Sequence, residues 1–180
     1  MFNTLFGKKK LTDEQLSNIF VNSLIETVDN SFREVADFIN DAPEFVSSPQ
    51  VLANDNDKFL MIVLAANISQ LSKSFSAEEE YVMKKKITDK FAQVYDITPA
   101  EFSKHLDRYT HLLYRVKERS NNVLYAMSKA VFFKYNLASF QEEYFRDMKT
   151  PNPVFLRRLD QVMKNYIWSW DSYFEKYRLV

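Results

Sequence analysis

From Leu16 onward apolar residues return at steps of three and four, through Phe20, Leu24, Val28, Phe32, Val35 and Ile39, with Ile19, Ile25 and Phe38 widening the stripe. That period puts them on one face of a helix. Thr12-Asp13-Glu14-Gln15 opens it as a capping box, in which the Thr12 hydroxyl accepts from the Gln15 amide and the Gln15 side chain reaches back. The helix is predicted to reach about residue 40, roughly 40 Å at about 1.5 Å per residue. Such a length spans a small domain or projects to pair with another copy.

Asp41 to Asp57 holds Pro43, Pro49 and Asn54-Asp55-Asn56-Asp57 and predicts a long loop, 41–57. A second helix, from about Lys58 to Ser74, is apolar on nearly every side and belongs at the centre of a bundle. Ser76-Ala77-Glu78-Glu79 caps a third helix, running through Ile87, Phe91 and Val94. In Thr98-Pro99-Ala100-Glu101 a threonine cap precedes a proline at the first helical position, which starts a fourth helix reaching about Ser120. Asn121-Asn122 breaks or bends the chain before a fifth helix through Leu137, and Ser139-Phe140-Gln141-Glu142 caps a short sixth ending near Met148 unless the two are fused. Pro151 and Pro153 stop and restart the chain, and one last helix is predicted from Pro153 to about Tyr177.

A single glycine, Gly7, leaves few positions for hairpin turns, which fits a chain built from helices. The expected fold is therefore all-α, an irregular bundle of six or seven helices around a central apolar one, in a single domain over 11–180 behind a flexible basic and aromatic tail at 1–10. The longest apolar run, Phe59 to Ala66, is far shorter than the roughly 20 residues of a membrane span. No cysteine occurs, and the Lys8–Lys10 triplet follows the first apolar residues instead of preceding them as in a secretory signal, so a cytoplasmic location is expected.

Catalytic and metal chemistry find little to stand on. One glycine cannot build a P-loop, a dinucleotide fingerprint or a nucleophile elbow. His105 and His111, the two histidines, stand about 120° apart around a helix and do not chelate one ion as an i, i+4 pair does. The sequence thus assigns no catalytic residue, no metal ligand and no cofactor. The order of an apolar helix, a serine followed by glutamates and a further amphipathic helix over residues 59–102 is similar to that of tellurite-resistance-type helical domains. The acidic Asp-Gly turn expected there is replaced by Ser72-Lys73-Ser74-Phe75, and no property is taken over from that likeness.

Charge is distributed unevenly although its sum is zero: +3 over residues 1–10, −8 over 11–60, 0 over 61–100 and +5 over 101–180. The acidic and basic parts are expected to face each other within the fold or between subunits. On a 100° wheel Lys104, Arg108, His111, Arg115 and Arg119 form one basic stripe on the fourth helix, opposite Phe102, Leu106, Tyr109 and Leu113. Such a stripe binds an acidic helix, phosphates or this chain's own first segment, or is only a solvated face, edged by Asp107 and Glu118. His111 within it adds positive charge as pH falls, whereas His105 lies on the apolar border as a packing residue. Trp168 falls opposite Leu159 on the predicted last helix and is expected to point outward as an anchor for a partner, or to be covered by the long loop or by Phe2 and Phe6.

Three functions follow as expectations. The first is a non-enzymatic interaction or assembly module that docks a protein partner or a second copy through the stripe, Trp168 or the long first helix. The second is a nucleic-acid binder using the basic, aromatic-rich region 101–180, and the third a helical pocket for an apolar small molecule. Membrane adhesion through Phe2, Leu5, Phe6 and the lysine triplet is disfavoured, because so short a segment supplies little area.

Overall fold

The computed structural model describes residues 7–117 and 120–180. Six helices of more than ten residues make the body: α1 (Asp13–Asn40), α2 (Asp57–Ile68), α3 (Ala77–Val94), α4 (Pro99–Lys117), α5 (Val123–Lys134) and α7 (Pro153–Met163). Two shorter ones, α6 (Glu143–Asp147) and α8 (Trp170–Lys176), complete the set among the described residues. The fold is an all-α bundle with an apolar helix at its centre.

Every residue of α2 from Phe59 to Ile68 is buried, which is what a helix apolar all round requires of its neighbours. Its companion in the core is α5, buried without interruption from Ala126 to Phe132. Around this pair α1 packs on α3 and α2, α3 on α4, α4 on α5 and α2, and α7 on α5. Phe20, Phe32, Phe59, Phe91, Phe102, Phe132 and Phe155 are fully enclosed, so the phenylalanine-rich composition is spent on filling the interior. The first helix does not project: it is buried along one face from Leu16 to Ile39.

Both glutamate and glutamine capping boxes form, Thr12 with Gln15 and Ser76 with Glu79, and Thr98 and Glu101 exchange the same pair of bonds at α4. The expected loop runs from residue 41 to 56 and is tied down. Asn40 donates to the Val51 carbonyl and accepts from its amide, while Val46 donates to the Phe140 carbonyl.

Four boundaries differ from the sequence reading. α2 ends at Ile68, and a 3-10 turn at Leu71–Lys73 replaces its last turn. α5 and α6 are separate, because Asn136 takes a left-handed φ of 54° and a 3-10 turn at Leu137–Phe140 stands where Ser139 was expected to cap a helix. The expected last helix is two helices. After α7 a 3-10 turn at Lys164–Tyr166 leads into extended Ile167, held by the buried amide of Asn67 on α2. Asn67 donates to the Tyr166 carbonyl at 2.8 Å and accepts from the Trp168 amide at 2.7 Å, so an interior side chain takes the place of two helical hydrogen bonds. Finally, Lys9 and Lys10, expected in the tail, join Leu11 in strand β1 (Lys9–Leu11), which pairs in parallel with β2 (Tyr177–Leu179).

Candidate functional site

The outer face of α4 is built by the periodicity that buries its inner one. Phe102, Leu106, Tyr109, Leu112, Leu113 and Val116 are buried, which turns Lys104, Arg108, His111 and Arg115 outward, all exposed. Arg119 and Glu118 lie outside the described residues. Among those described, none of the four basic residues forms an ion pair, and Asp107 does not pair with His111. His105 is exposed too, its ring 5.4 Å from that of Tyr109 in an edge-to-face contact. On the inner side, Lys134 of α5 sits 4.5 Å over the Tyr109 ring. Burial raises the Tyr109 phenol above its ordinary pKa, with the carboxylates of Asp57 and Asp55 adding to the effect, so this group stays neutral beneath the cationic face.

Two further features flank the stripe. Tyr114, set about 80° to one side of Lys104 on the wheel, is 74% exposed, with the Lys117 ammonium 5.6 Å over its ring. Beside the first turn of α4 an open groove of about 770 Å³ runs against α3, walled by Tyr81, Ala92, Ile97, Pro99 and Ala100. A charged helix face edged by apolar surface is the composition of a docking surface, in which apolar contacts give affinity and the charges give register.

The acidic first segment does not cover this stripe. Glu14 binds Lys86 and Lys90 of α3, and Glu44 makes a two-pronged pair with Arg158 of α7 at 2.7 and 2.9 Å. Of these, only Glu44–Arg158 joins the acidic part to the basic one, because Lys86 and Lys90 lie in the neutral stretch 61–100. The middle of α1 carries Glu26, Asp29, Glu34 and Asp37, all exposed, and none is in an ion pair among the described residues. With Glu26 at zero, these carboxylates span about 140° of the helix surface, broken only by Arg33. The same wheel applied to α1 finds this band in the sequence.

Trp168 is not an outward anchor. The wheel that aimed it into solvent assumed a helix, whereas Ile167 is extended. Its ring meets Phe20 of α1 edge-on at 5.5 Å and stacks on Tyr173 at 4.9 Å. The covering residues are thus Phe20 and Tyr173 and not the long loop, and Phe2 and Phe6 lie outside the described residues. Part of the aromatic supply of residues 101–180 is spent in the core: Phe102, Tyr109, Phe132, Tyr135, Phe155, Tyr166 and Trp170 are buried, whereas Tyr114, Phe133 and Tyr144 are exposed. Beside the stripe that leaves Tyr114 as an exposed ring, and base stacking along a nucleic-acid strand needs several.

Among the described residues no cluster of three or more His, Asp or Glu side chains is placed to hold a metal ion, and no helix is long and apolar enough to cross a membrane. No family model matches the chain, and no curated protein or solved structure matches it either. The likeness in spacing to tellurite-resistance-type domains therefore carries no argument.

Proposed function

We propose that this protein is a non-enzymatic assembly module in which the basic face of α4 docks on the acidic face of α1 of a second copy. One observation carries the reading: a single chain holds two exposed helix faces of opposite charge, the acidic one interrupted by Arg33 and the basic one edged by Asp107, whose remaining charges form no ion pair among the described residues. Lys104, Arg108, His111 and Arg115 supply one, and Glu26, Asp29, Glu34 and Asp37 the other. Unpaired like charges along a helix repel at separations well inside the screening length, and a second copy relieves both faces together. In a twofold pair each α4 meets the partner's α1, so both contacts close; head-to-tail addition leaves one face open at each end and continues. Tyr114 and the groove beside Ile97 and Pro99 give such a contact its apolar area.

The test is light scattering coupled to size-exclusion chromatography at low and high salt. Wild type is expected to run as a dimer or larger species that salt dissociates, and Arg108→Glu/Arg115→Glu as a monomer. Mixing that variant with Glu34→Arg/Asp37→Arg is expected to restore assembly by swapping the charges. A wild type that is monomeric at every salt concentration refutes the proposal. So does retention of a labelled oligonucleotide that the double variant abolishes, which returns the stripe to nucleic acid.

A further inference from the structure

We propose that the end of the bundle closed by β1 and β2 attaches to an anionic lipid surface. In the sequence, three lysines stand beside a few apolar residues, too few charges to hold a chain on a bilayer. The fold changes that count. β1 and β2 pair in parallel with Lys9 beside Tyr177 and Lys10 beside Arg178, and α8 ends at Lys176 where β2 begins. Lys8, Lys9 and Lys10 are thereby joined by Lys176 and Arg178, and all five are exposed. Clusters of about four to eight Lys or Arg are the usual mark of binding to anionic lipid. Five cations reach that range and the triplet alone does not.

Carboxylates do not balance this patch. None of the five cations is in an ion pair among the described residues. Lys8 donates to the Phe174 carbonyl at 2.6 Å, which sets its ammonium at the last turn of α8 and leaves its charge uncancelled. The carboxylates on the adjoining elements are Asp13 and Glu14 at the start of α1 and Asp171 and Glu175 on α8. Glu14 is taken up by Lys86 and Lys90 of α3, which bring two cations to its one charge, and Asp171 accepts from Ser74. Seven cations thus stand against four carboxylates. Lysine on an edge strand keeps foreign strands from pairing, but that role does not call for Lys10 directly beside Arg178, since like charges on neighbouring strands oppose each other. A negatively charged surface relieves that repulsion.

Apolar residues flank the cations. Phe2, Leu5 and Phe6 precede Lys8 in the sequence, and Val180, 59% exposed, extends the sheet by donating its amide to the Leu11 carbonyl. Attachment to a bilayer takes two signals together, apolar insertion and cationic attraction, each weak alone. The rings at this end, Tyr173 and Tyr177, are partly buried and stacked on each other at 6.0 Å, so they are not laid open for bases, which favours lipid over nucleic acid.

The experiment is co-sedimentation with vesicles of phosphatidylcholine alone and of phosphatidylcholine mixed equally with phosphatidylserine. Wild type is expected to bind the mixed vesicles at least about tenfold more tightly, with the difference lost in high salt. Lys176→Gln/Arg178→Gln is expected to weaken binding about 25-fold, because each cation near an anionic surface contributes about a factor of five. Circular dichroism checks that the variants fold, and Arg178→Lys, which keeps the charge, is expected to bind as wild type does. Equal binding to both vesicles overturns the proposal, as does binding indifferent to Lys176→Gln/Arg178→Gln or as weak for Arg178→Lys as for the double variant. Tighter retention of a labelled oligonucleotide than of mixed vesicles overturns it too and assigns the patch to nucleic acid. Arg108→Glu/Arg115→Glu, compared at a concentration where wild type is monomeric, is expected to leave vesicle binding unchanged; a loss there places the lipid on α4 and overturns the proposal.

Discussion

α3 and α4 are neighbouring helices of 18 and 19 residues, each opened by a hydroxyl and glutamate box, each with an apolar inner face and lysine or arginine outside. They differ in what surrounds their cations. On α3, Lys86 and Lys90 grip Glu14 of α1 and Lys85 pairs with Asp89 four residues on. On α4, Lys104, Arg108 and Arg115 have no such partner among the described residues. The two helices are alike in sequence pattern and unlike in neighbourhood: α1 packs along α3, and its carboxylates beyond Glu14 are left facing solvent. A basic helix face becomes a candidate surface through the packing of other elements, and its own composition does not decide the matter.

The inner faces should prove equivalent. Phe91 of α3 and Phe102 of α4 are fully buried and stack on each other at 5.5 Å with an angle of 7° between their planes. Truncating either to alanine is expected to cost about 3–5 kcal/mol of stability, as large cavities in aromatic cores do. Chemical denaturation measures this. A loss several-fold smaller at one site would mean that the two helices are not joined by a common seam.

The outer faces should separate. Arg108→Glu/Arg115→Glu is expected to weaken self-association about a hundredfold, or ~2.8 kcal/mol, while leaving the melting temperature within a few degrees of wild type. Lys86→Glu/Lys90→Glu on α3 is expected to do the reverse, keeping association and lowering the melting temperature. Sedimentation and thermal melts of both variants decide it; equal effects on assembly would erase the distinction between the faces.

Much of this contrast is legible in the sequence. Caps and apolar periods place α1, α3 and α4 closely, because those signals are local and every one of them is satisfied. The outward turn of Lys104, Arg108, His111 and Arg115 follows from the same period. What escapes is decided by distant contacts. Nothing local in Asn165-Tyr166-Ile167-Trp168 says that Asn67, about a hundred positions earlier, will take up the backbone there, end the helix and fold Trp168 back onto Phe20. The cleft that Lys129, Arg157 and Asp160 line escapes for the same reason, since it exists only once α5 and α7 pack.

Next in size come the caps. Ser76→Ala and Thr98→Ala each remove a hydroxyl that accepts an amide at the first turn, Glu79 in one helix and Glu101 in the other. Each is expected to cost about 1 kcal/mol. The two glutamates respond alike: the backbone hydrogen bond to the cap, then the hydroxyl, holds each carboxyl below its ordinary pKa. Unequal losses in denaturant would show that one helix start leans on tertiary contacts and the other does not.

The smallest effect belongs to Glu14, the residue that makes α3 differ from α4. Its carboxyl is held below the ordinary value of 4.5, first by the hydrogen bond from Lys90, then by that from Lys86, and further by their charges. The unfolded chain lacks both partners, so it binds the proton more readily than the folded one. The contribution is therefore complete above the unfolded pKa and is lost as pH falls through the folded one. Glu14→Gln is expected to lower the melting temperature slightly at neutral pH and to converge with wild type in acid below pH 4.5. Because the pair is exposed, added salt should shrink the difference at neutral pH as well. A gap that persists unchanged into acid would mean that Glu14 ties α1 to α3 by packing and hydrogen bonding that do not depend on its charge. Lys86 and Lys90 would then be no better neutralised than the stripe on α4.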